Sequence, residues 1–420
     1  MRIGRWIAIS WLSLMAMGLL AVSAGDARGQ SYGIELHNAL MPASGGMGGA
    51  SLTQPQDLQS AINGNPATLT QFQGTQFSVS GAWAEPTYRV TQYRPLPLVG
   101  VDPFNAKSST PGGVAGNIGV TQDFSALGLP FVFGTGLMTN AAAGVNFRGV
   151  PESHGTSAEY IALDIPLALG VQLTDRLSAG AALTLGSSYL DGPFVDMSAM
   201  TPAYALRGTL GLNYCLNDDT SVGVYWQSLK NFTFADAVVL RNGAAEDVKF
   251  AHPENIGLGI ANHSLMDGRL LLAFDAIYKQ HSKADFLRAI YKDQWVYQLG
   301  AQYAVNCRTR LRFGYAYNDN PMCEPVVDSV GGVPLPDGVP GVRYVQGQFA
   351  SICQHRLTGG VGLRDVLPGV DFDLLAGYMF HNSDRLADTL ASVEGYWLGA
   401  GITWRFGRGA CERLPVPTEW

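Results

Sequence analysis

The chain has 420 residues, a formal net charge of −7 and charged side chains at only 15% of its positions. No basic block interrupts this weakly acidic composition, which argues against nucleic acid as a partner. The charged fraction lies below the rough quarter that is usual in soluble domains, and glycine is abundant, with 51 residues. The composition therefore favours one large β-structure over two or three soluble domains.

The first residues have the pattern of an export signal. Two arginines precede an apolar run from Trp6 to Val22, and small residues follow it. This order is typical of a secretory signal peptide. A membrane-anchoring helix is the alternative, but the run is short for a span and lacks a basic flank. Residues 1–29 are therefore predicted to be a signal peptide, cleaved after Ala24 or Gly29, and the mature chain to be exported.

Residues 30–73 lack the alternation that marks the rest of the chain. They contain the glycine-rich stretch Gly45–Gly49 and the turn-forming residues Asn65, Pro66 and Ala67. A wide barrel has a lumen that is either open or filled, and irregular backbone is tolerated there because its polar groups find partners. This segment is predicted to be a hatch, or plug, inside a barrel.

Residues 74–406 are predicted to form the barrel, and from residue 157 onward they repeat one pattern, an apolar residue at every second position followed by a short polar turn. Trp295, Tyr297 and Leu299, for example, alternate with small or polar residues. A period of two places one set on each face of a strand. Many such strands with no helical period favour a closed barrel that is apolar outside and polar inside. Fourteen strands are predicted near residues 75–84, 114–122, 131–147, 157–172, 177–188, 205–216, 220–230, 252–264, 268–279, 293–305, 309–318, 355–366, 370–381 and 394–406.

The connections between these strands alternate in length. Those after odd-numbered strands are mostly long, such as 85–113 and 319–354, whereas those after even-numbered strands are mostly short, such as 173–176 and 306–308. Barrels of the bacterial outer membrane have short periplasmic turns and long outer loops. We therefore predict an all-β fold, a 14-stranded antiparallel transmembrane β-barrel in the outer membrane of a Gram-negative-type bacterium. Residues 407–420 are expected to form a periplasmic tail.

Five cysteines are an odd number for an exported chain. Cys323 and Cys353 lie in one long predicted loop, which a disulfide between them would close. Such a bridge would stabilise the fold by about 3–4 kcal/mol if unstrained. The sequence alone does not determine the pairing, so the 323–353 bridge is a hypothesis.

Several motifs of the hatch, taken in order, resemble one known family. Residues 33–36 read Gly-Ile-Glu-Leu, and residues 73–76 lead into the first strand. With the glycines and the Asn-Pro-Ala sequence between them, they resemble the hatch of the FadL/TodX transporters of long-chain fatty acids and hydrocarbons. A second match includes residues 311–317. The chain departs from the family pattern where it continues past Phe406 and where residues 278–281 lack a tryptophan.

The resemblance implies passive uptake of hydrophobic molecules by a monomer in outer-membrane lipid, with no cofactor and no metal. It further implies a gate in the hatch and a kink in the third strand, where the barrel wall opens sideways. The residues implied for the gate are Gly45, Gly46, Gly48, Gly49, Asn65, Pro66 and Ala67, and those for the kink are Gly134 and Gly136. Each glycine also has a purely architectural interpretation in packing.

A vestibule among the outer loops is expected to capture the cargo, because each buried CH₂ contributes about 0.8 kcal/mol. Basic side chains could pair with a carboxylate head. The apolar candidates are Phe131, Phe133, Leu137, Met138, Pro193, Phe194, Phe232 and Phe234, and the basic candidates are Lys279, Lys283, Arg288 and Lys292.

Besides a purely structural or adhesive barrel, two other functions remain open at this point. His381 and Ser383 are two residues apart and would share the lumen face of a strand, as in a barrel-borne lipid hydrolase, but no oxyanion donors are evident. The second alternative is a diffusion porin for polar solutes, which the inward polar residues permit and the hatch opposes.

Overall fold

Fourteen antiparallel strands form a closed barrel in the computed structural model, which describes residue 35 and residues 37–192, 200–239, 245–324 and 327–406. The barrel strands are β1 (Thr75–Gln92), β3 (Gly113–Asp123), β4 (Phe131–Asn146), β5 (Ser157–Gln172), β6 (Leu177–Asp191), β7 (Thr201–Cys215), β8 (Thr220–Gln227), β11 (Glu254–Leu265), β12 (Leu270–Gln280), β13 (Gln294–Ala304), β14 (Thr309–Asn318), β17 (His355–Leu367), β18 (Val370–Leu386) and β19 (Thr389–Phe406). The short strands outside the ring are β2 (Phe104–Lys107), β9 (Lys230–Val239), β10 (Ala245–His252), β15 (Ser329–Val330) and β16 (Val333–Pro334).

The ring closes between the first and last strands, which pair from Thr75 opposite Phe406 to Gln92 opposite Thr389. The predicted strand number is therefore confirmed. So is the alternation of short and long connections, since residues 173–176, 216–219 and 305–308 are turns on one side of the barrel. That side is the periplasmic side, and the long connections lie on the outer side.

The two faces of the strands differ as the alternation predicts. Outward side chains such as Leu210, Leu258 and Phe313 are exposed, whereas inward side chains such as Gln298 and Arg312 are buried. A belt of exposed apolar side chains around a polar interior is the arrangement that lipid requires. Among the residues that the structure describes, no helix is both long and apolar enough to span a membrane.

Residues 37–73, here called the plug, lie inside the barrel. The plug contains the helices Pro42–Gly45 and Leu58–Asn63 and a 3₁₀ helix, Pro66–Gln71. Its backbone is tied to the wall, for example by Gly48 N, which donates to Thr358 Oγ1 at 2.9 Å. Almost every plug residue is buried. The signal-peptide and tail residues, 1–29 and 407–420, lie outside the described part of the chain.

The long outer connections fold over the barrel mouth as a cap. The connection predicted as a loop at residues 231–251 is largely a hairpin, β9 and β10, which forms a separate sheet. The helix Leu287–Ile290 packs beside this hairpin, and the helix Val339–Gln348 packs on that helix and on the upper ends of β1, β18 and β19. Phe232, Phe250 and other buried cap side chains form one apolar core. This core explains why the connections predicted to be loops adopt a folded structure.

Candidate functional site

An apolar pocket lies within the cap. Segments from four outer connections form it, and its side chains are aliphatic or aromatic without exception. Such a concave, charge-free lining suits a hydrophobic ligand. The lining residues are Leu190, Gly192, Val238, Val248, Phe286, Val330, Val333, Leu335, Val345 and Phe349.

Aromatic rings continue from the cap towards the barrel wall. Phe250 stacks on Tyr160 of β5 with ring centroids 4.2 Å apart, and its centroid is 4.8 Å from that of Phe286. Below them the inner faces of β1, β4 and β5 carry small apolar side chains, including Ala84, Ala143 and Ala162. These residues belong to the same buried cluster as the cap core, so one apolar surface runs from the cap down one side of the lumen.

This apolar surface ends beside an interruption in the wall. β3 and β4 pair from Asp123 opposite Val132 up to Asn117 opposite Met138. Next to this last pair, a side chain replaces the ladder: Thr139 Oγ1 donates to Gly116 O at 2.9 Å and accepts from Gly116 N at 3.1 Å. Among the described residues, no β3–β4 ladder pair lies above this point.

The other edge of β4 is irregular at the same height. Its register with β5 shifts between Thr139 and Ala141, which leaves Asn140 as a bulge. The Asn140 amide turns inward and donates to Asp164. The residues that follow, Ala141 to Gly144, have small side chains. The wall is therefore least regular where its lining is smallest.

The opposite side of the lumen is polar, and Glu35 is at its centre. Its carboxylate accepts a hydrogen bond from Arg207 Nη1 and another from Asn255 Nδ2 at 2.6 Å. Lys279 Nζ donates to the Glu35 carbonyl at 3.2 Å. Burial alone would raise the pKa of Glu35, but the Arg207 charge and the His252 ring hold it well below its usual range.

A second buried ion pair joins the cap hairpin to the wall. Lys230 Nζ at the start of β9 lies 2.6 and 2.8 Å from the two Asp164 oxygens. At the end of the hairpin, His252 Nε2 is 2.5 Å from the Tyr160 hydroxyl. Burial, then the charge of Lys230, lowers the pKa of His252 to about 4, so its ring is neutral at pH 7.

The glycines implied for the gate lie where the plug meets the wall. A Cβ at Gly45 would come within 2.5 Å of the Ala39 carbonyl, and Gly48 and Gly49 have φ of 73° and 92°. Gly46 faces Gly360 across a close contact. These positions need glycine because backbone passes close to backbone or has left-handed φ.

The Asn-Pro-Ala sequence forms the lower turn of the plug. Asn65 Nδ2 donates to Leu52 O at 2.9 Å and to Leu212 O on β7 at 3.0 Å, while Asn65 Oδ1 accepts from Ala67 N at 3.1 Å. Pro66 packs over Gly180 of β6. Asn65 therefore fixes the plug to itself and to the wall.

The third barrel strand departs from the expected vestibule. Phe131 and Phe133 lie at its periplasmic end, where Phe131 contacts Phe124 with centroids 4.9 Å apart. They alternate with buried Val132 and therefore face outward, as does the exposed Leu137. The expectation that these three line an outer vestibule is wrong. Met138 faces inward, but it packs in the cluster shared with the plug.

Near the expected kink, Gly134 pairs with Ala168 of β5, whereas Gly136 and Leu137 have no ladder partner on β5. Both glycines keep their β3 partners, Thr121 and Gly119, whereas the register shift lies four residues beyond Gly136, at Asn140. A Cβ at Gly136 would come within 2.1 Å of a backbone oxygen, so this glycine is required for close packing. A role of the two glycines in opening the wall stays a prediction.

The remaining candidate ligand residues are divided between core and surface. Phe232 and Phe234 are buried in the cap core, and Lys279 lies in the lumen against Glu35. Arg288 is exposed and pairs with Asp285 at 3.1 Å, while Lys283 pairs with Glu254 at 3.2 Å. Lys292 is exposed. Pro193 and Phe194 lie outside the described residues.

The predicted disulfide is not formed, because Cys323 and Cys353 are both free thiols. Cys353 Sγ faces the wall, 3.7 Å from the Val393 carbonyl oxygen. The Cys323 carbonyl instead accepts from Gln346 at 2.8 Å, a residue of the cap helix. The two cysteines therefore contact different structural elements.

His381 and Ser383 do not share the lumen face. The register of β18 with β19 shifts between Met379 and Asn382, so Asn382 and Leu386 turn inward. His381 and Ser383 are exposed, which corrects the expectation that they face the lumen. Among the described residues, no group of His, Cys, Asp and Glu side chains is arranged to hold a metal ion.

The fold and the lumen define a class of protein: a transmembrane β-barrel of the bacterial outer membrane with a plug inside and an apolar cap pocket. Solved structures of this class share its architecture. The crystal structure of the P. putida toluene transporter TodX superposes with a TM-score of 0.63 at 17% identity, over 91% of this chain and 100% of TodX.

Two further structures are similar. The Ralstonia pickettii toluene transporter TbuX gives a TM-score of 0.61 at 15% identity, over 89% of this chain and 100% of TbuX. A Pseudomonas aeruginosa FadL homologue gives 0.63 at 14% identity, over 89% and 100%. The resemblance to FadL/TodX channels is thereby confirmed for the fold. No family model matches the sequence, and no curated protein matches it.

Proposed function

We propose that this protein mediates passive uptake of hydrophobic molecules, hydrocarbons or fatty acids, across the outer membrane. Cargo binds in the cap pocket, moves along the apolar side of the lumen and leaves sideways into the membrane between β3 and β4. The names of the similar structures, toluene transporters and a FadL homologue, support this class of cargo.

The observation that carries the proposal is the continuity of one apolar surface. The cap core and the inner faces of β1, β4 and β5 form a single buried cluster, which includes Ala115 and Ala141 beside the interrupted β3–β4 ladder. A hydrophobic molecule gains about 25 cal/mol for each Å² of apolar surface removed from water. It therefore remains in contact with favourable surface along the whole route.

The plug makes a sideways exit the shorter route. Straight passage to the periplasm would cross packed plug side chains such as Leu58, Ile62 and Leu69, all at most 2% exposed. Lateral exit requires separation of β3 from β4 only where ladder hydrogen bonds are already replaced. Small residues at Ala141 to Gly144 leave little side-chain bulk in the way.

The test measures uptake in a deletion strain complemented with variants. Val248→Asp places a charge in the cap pocket, so uptake of radiolabelled oleate and toluene should fall several-fold, because a buried unpaired carboxylate is costly. Lys249→Asp is the matched control, since it introduces the same side chain at the exposed neighbour.

Two results would count against the proposal. The deletion strain could take up every hydrophobic compound tested as fast as the wild type. Alternatively, Val248→Asp could transport normally at equal barrel abundance, as judged by heat-modifiable migration on gels. The first result would contradict the transport function, and the second would remove the cap pocket from the route.

A further inference from the structure

We propose that Glu35 determines the charge of the cargo: its carboxylate occupies an anion site in the lumen and so restricts the channel to uncharged hydrophobic molecules. Without it, the same site would bind the carboxylate of an amphiphile such as a fatty acid. This inference rests on the proposed function and narrows its substrate class.

The site around Glu35 is built from three barrel strands. Arg207 of β7 and Asn255 of β11 donate to the carboxylate, and Lys279 of β12 donates to the Glu35 carbonyl. Arg207 is itself positioned by the carbonyls of Ser228 at 2.8 Å and Pro253 at 2.6 Å. All three donor side chains are at most 5% exposed. Convergent, rigidly held donors of this kind recognise a carboxylate.

The charge balance requires an anion at this position. Arg207, Lys230, Lys279 and Arg356 contribute four cations, and Glu35 and Asp164 contribute two carboxylates, of which Asp164 is bound by Lys230. The nearby rings are neutral, because burial, then the charge of Lys279, lowers the pKa of His37 to about 3. Removing Glu35 would leave Arg207 buried without its carboxylate, which is strongly unfavourable. While Glu35 is in place, a cargo carboxylate cannot reach the Arg207 and Asn255 donors that Glu35 occupies, but it could take their hydrogen bonds once Glu35 is gone.

A small cavity, with room for about one water molecule, lies directly beside the site. Its polar lining residues include Glu35, Lys279, Gln298, Asn318 and Arg356. The backbone at Glu35 has φ of 63°, a left-handed conformation that a non-glycine residue keeps only when its contacts hold it. The contacts of the carboxylate therefore also hold the backbone of Glu35 in this conformation.

Thermal unfolding of the purified full-length protein in mild detergent tests the inference. The probes are octanoate and 1-octanol, which share a chain length and differ in charge. Octanoate should raise the Tm of Glu35→Ala in a concentration-dependent manner, as expected for a ligand that binds the folded state. Its apparent Kd should be at least about tenfold lower for the variant than for the wild type. The double variant Glu35→Ala/Arg207→Met should lose this response.

Glu35→Gln provides a second route if Glu35→Ala does not assemble. Its amide can still accept from Arg207 and Asn255, but it leaves the cation without an opposite charge, so octanoate should displace it more readily than it displaces the wild-type carboxylate. The inference is overturned if neither variant binds octanoate more tightly than the wild type does. Octanol distinguishes the role of Glu35 from the proposed function. If the wild type does not bind octanol, hydrophobic uptake is contradicted, but the octanoate affinities of wild type and variants can still be compared.

Discussion

Three thiols of this chain lie in sharply different surroundings. Cys307 is exposed in a periplasmic turn, Cys323 is half-buried in the cap, and Cys353 is 3% exposed at the top of the wall. Burial raises the pKa of the Cys353 thiol to about 11 and also raises that of Cys323. The thiolate is the reactive form, so reactivity should follow this order of exposure.

Maleimide labelling at pH 7 should therefore modify Cys307 first and leave Cys353 unmodified in the folded barrel. A pKa near 11 leaves on the order of one thiol in ten thousand ionised at that pH. Peptide mass spectrometry after timed quenching gives the rates, with urea-unfolded protein as the control in which all thiols react. Equal rates in the folded protein, or a peptide that links Cys323 to Cys353, would contradict the structure.

The ion pairs of the lumen were only partly predictable from single residues. Alternation along β7 identifies Arg207 as inward, because a charge in the lipid-facing row costs about 2–4 kcal/mol. It does not identify Glu35 as the partner, since the two are 172 positions apart and Glu35 lies in a segment without a period. The sequence does indicate that the inward Arg207 needs an acidic partner, because a buried cation must be paired. It does not indicate which acidic residue that partner is.

Among the elements, β4 is the strand whose irregularity matters most. Asn140 is an extra residue, since Thr139 pairs with Leu163 and Ala141 with Ala162. The bulge adds one residue between two segments whose side chains already face the correct sides. Deleting Asn140 should therefore join the two regular halves of β4 while the same side chains continue to face inward. The deletion would thus regularise the wall at the proposed exit.

Deletion of Asn140 should lower uptake several-fold while the barrel still assembles. Asn140→Ala is the control, because it keeps the bulge and removes only the hydrogen bond to Asp164. Uptake of radiolabelled oleate and toluene and heat-modifiable migration are measured for both variants. Unchanged uptake by a correctly assembled deletion variant would exclude exit at this position.

Regular strands were predictable because lipid imposes a strict rule on every second residue, whereas bulges break that rule without a marker in the sequence. The bulge between Met379 and Asn382 explains why His381 was assigned to the lumen, because it changes which residues of β18 face inward. The hairpin of β9 and β10 was missed for a different reason: the cap is held by its own apolar core, and no membrane enforces its alternation.

For the whole molecule, permeability depends on how firmly the plug is held. Asp275 on the wall of β12 accepts hydrogen bonds from Ser51 N at 2.6 Å and Leu52 N at 3.0 Å. Asp57 serves the same purpose within the plug, accepting from Ser44 N at 2.8 Å and capping the helix at Ser60 N. The first contact joins plug to barrel, and the second maintains the internal fold of the plug.

Asp275→Ala should loosen the plug while the barrel remains intact. The two buried N–H groups would lose their acceptor, at a cost of about 1–3 kcal/mol each. Hydrogen exchange at Ser51 and Leu52 should accelerate, and steady ion current in planar bilayers should rise above the low wild-type level. Asp275→Asn is the control, because its amide oxygen still accepts. Wild-type exchange and current in Asp275→Ala would show that other contacts hold the plug.

The seam between β1 and β19 has a consequence for biogenesis. It joins residues that are 331 positions apart at Thr75 and Phe406 and 297 positions apart at Gln92 and Thr389, so the cylinder cannot be completed until the last strand has been delivered. Until then, both terminal strands present unpaired backbone edges that invite aggregation. Pairing over such a long sequence separation is also intrinsically slow. We therefore expect the newly exported polypeptide to be most prone to aggregation before this seam has paired.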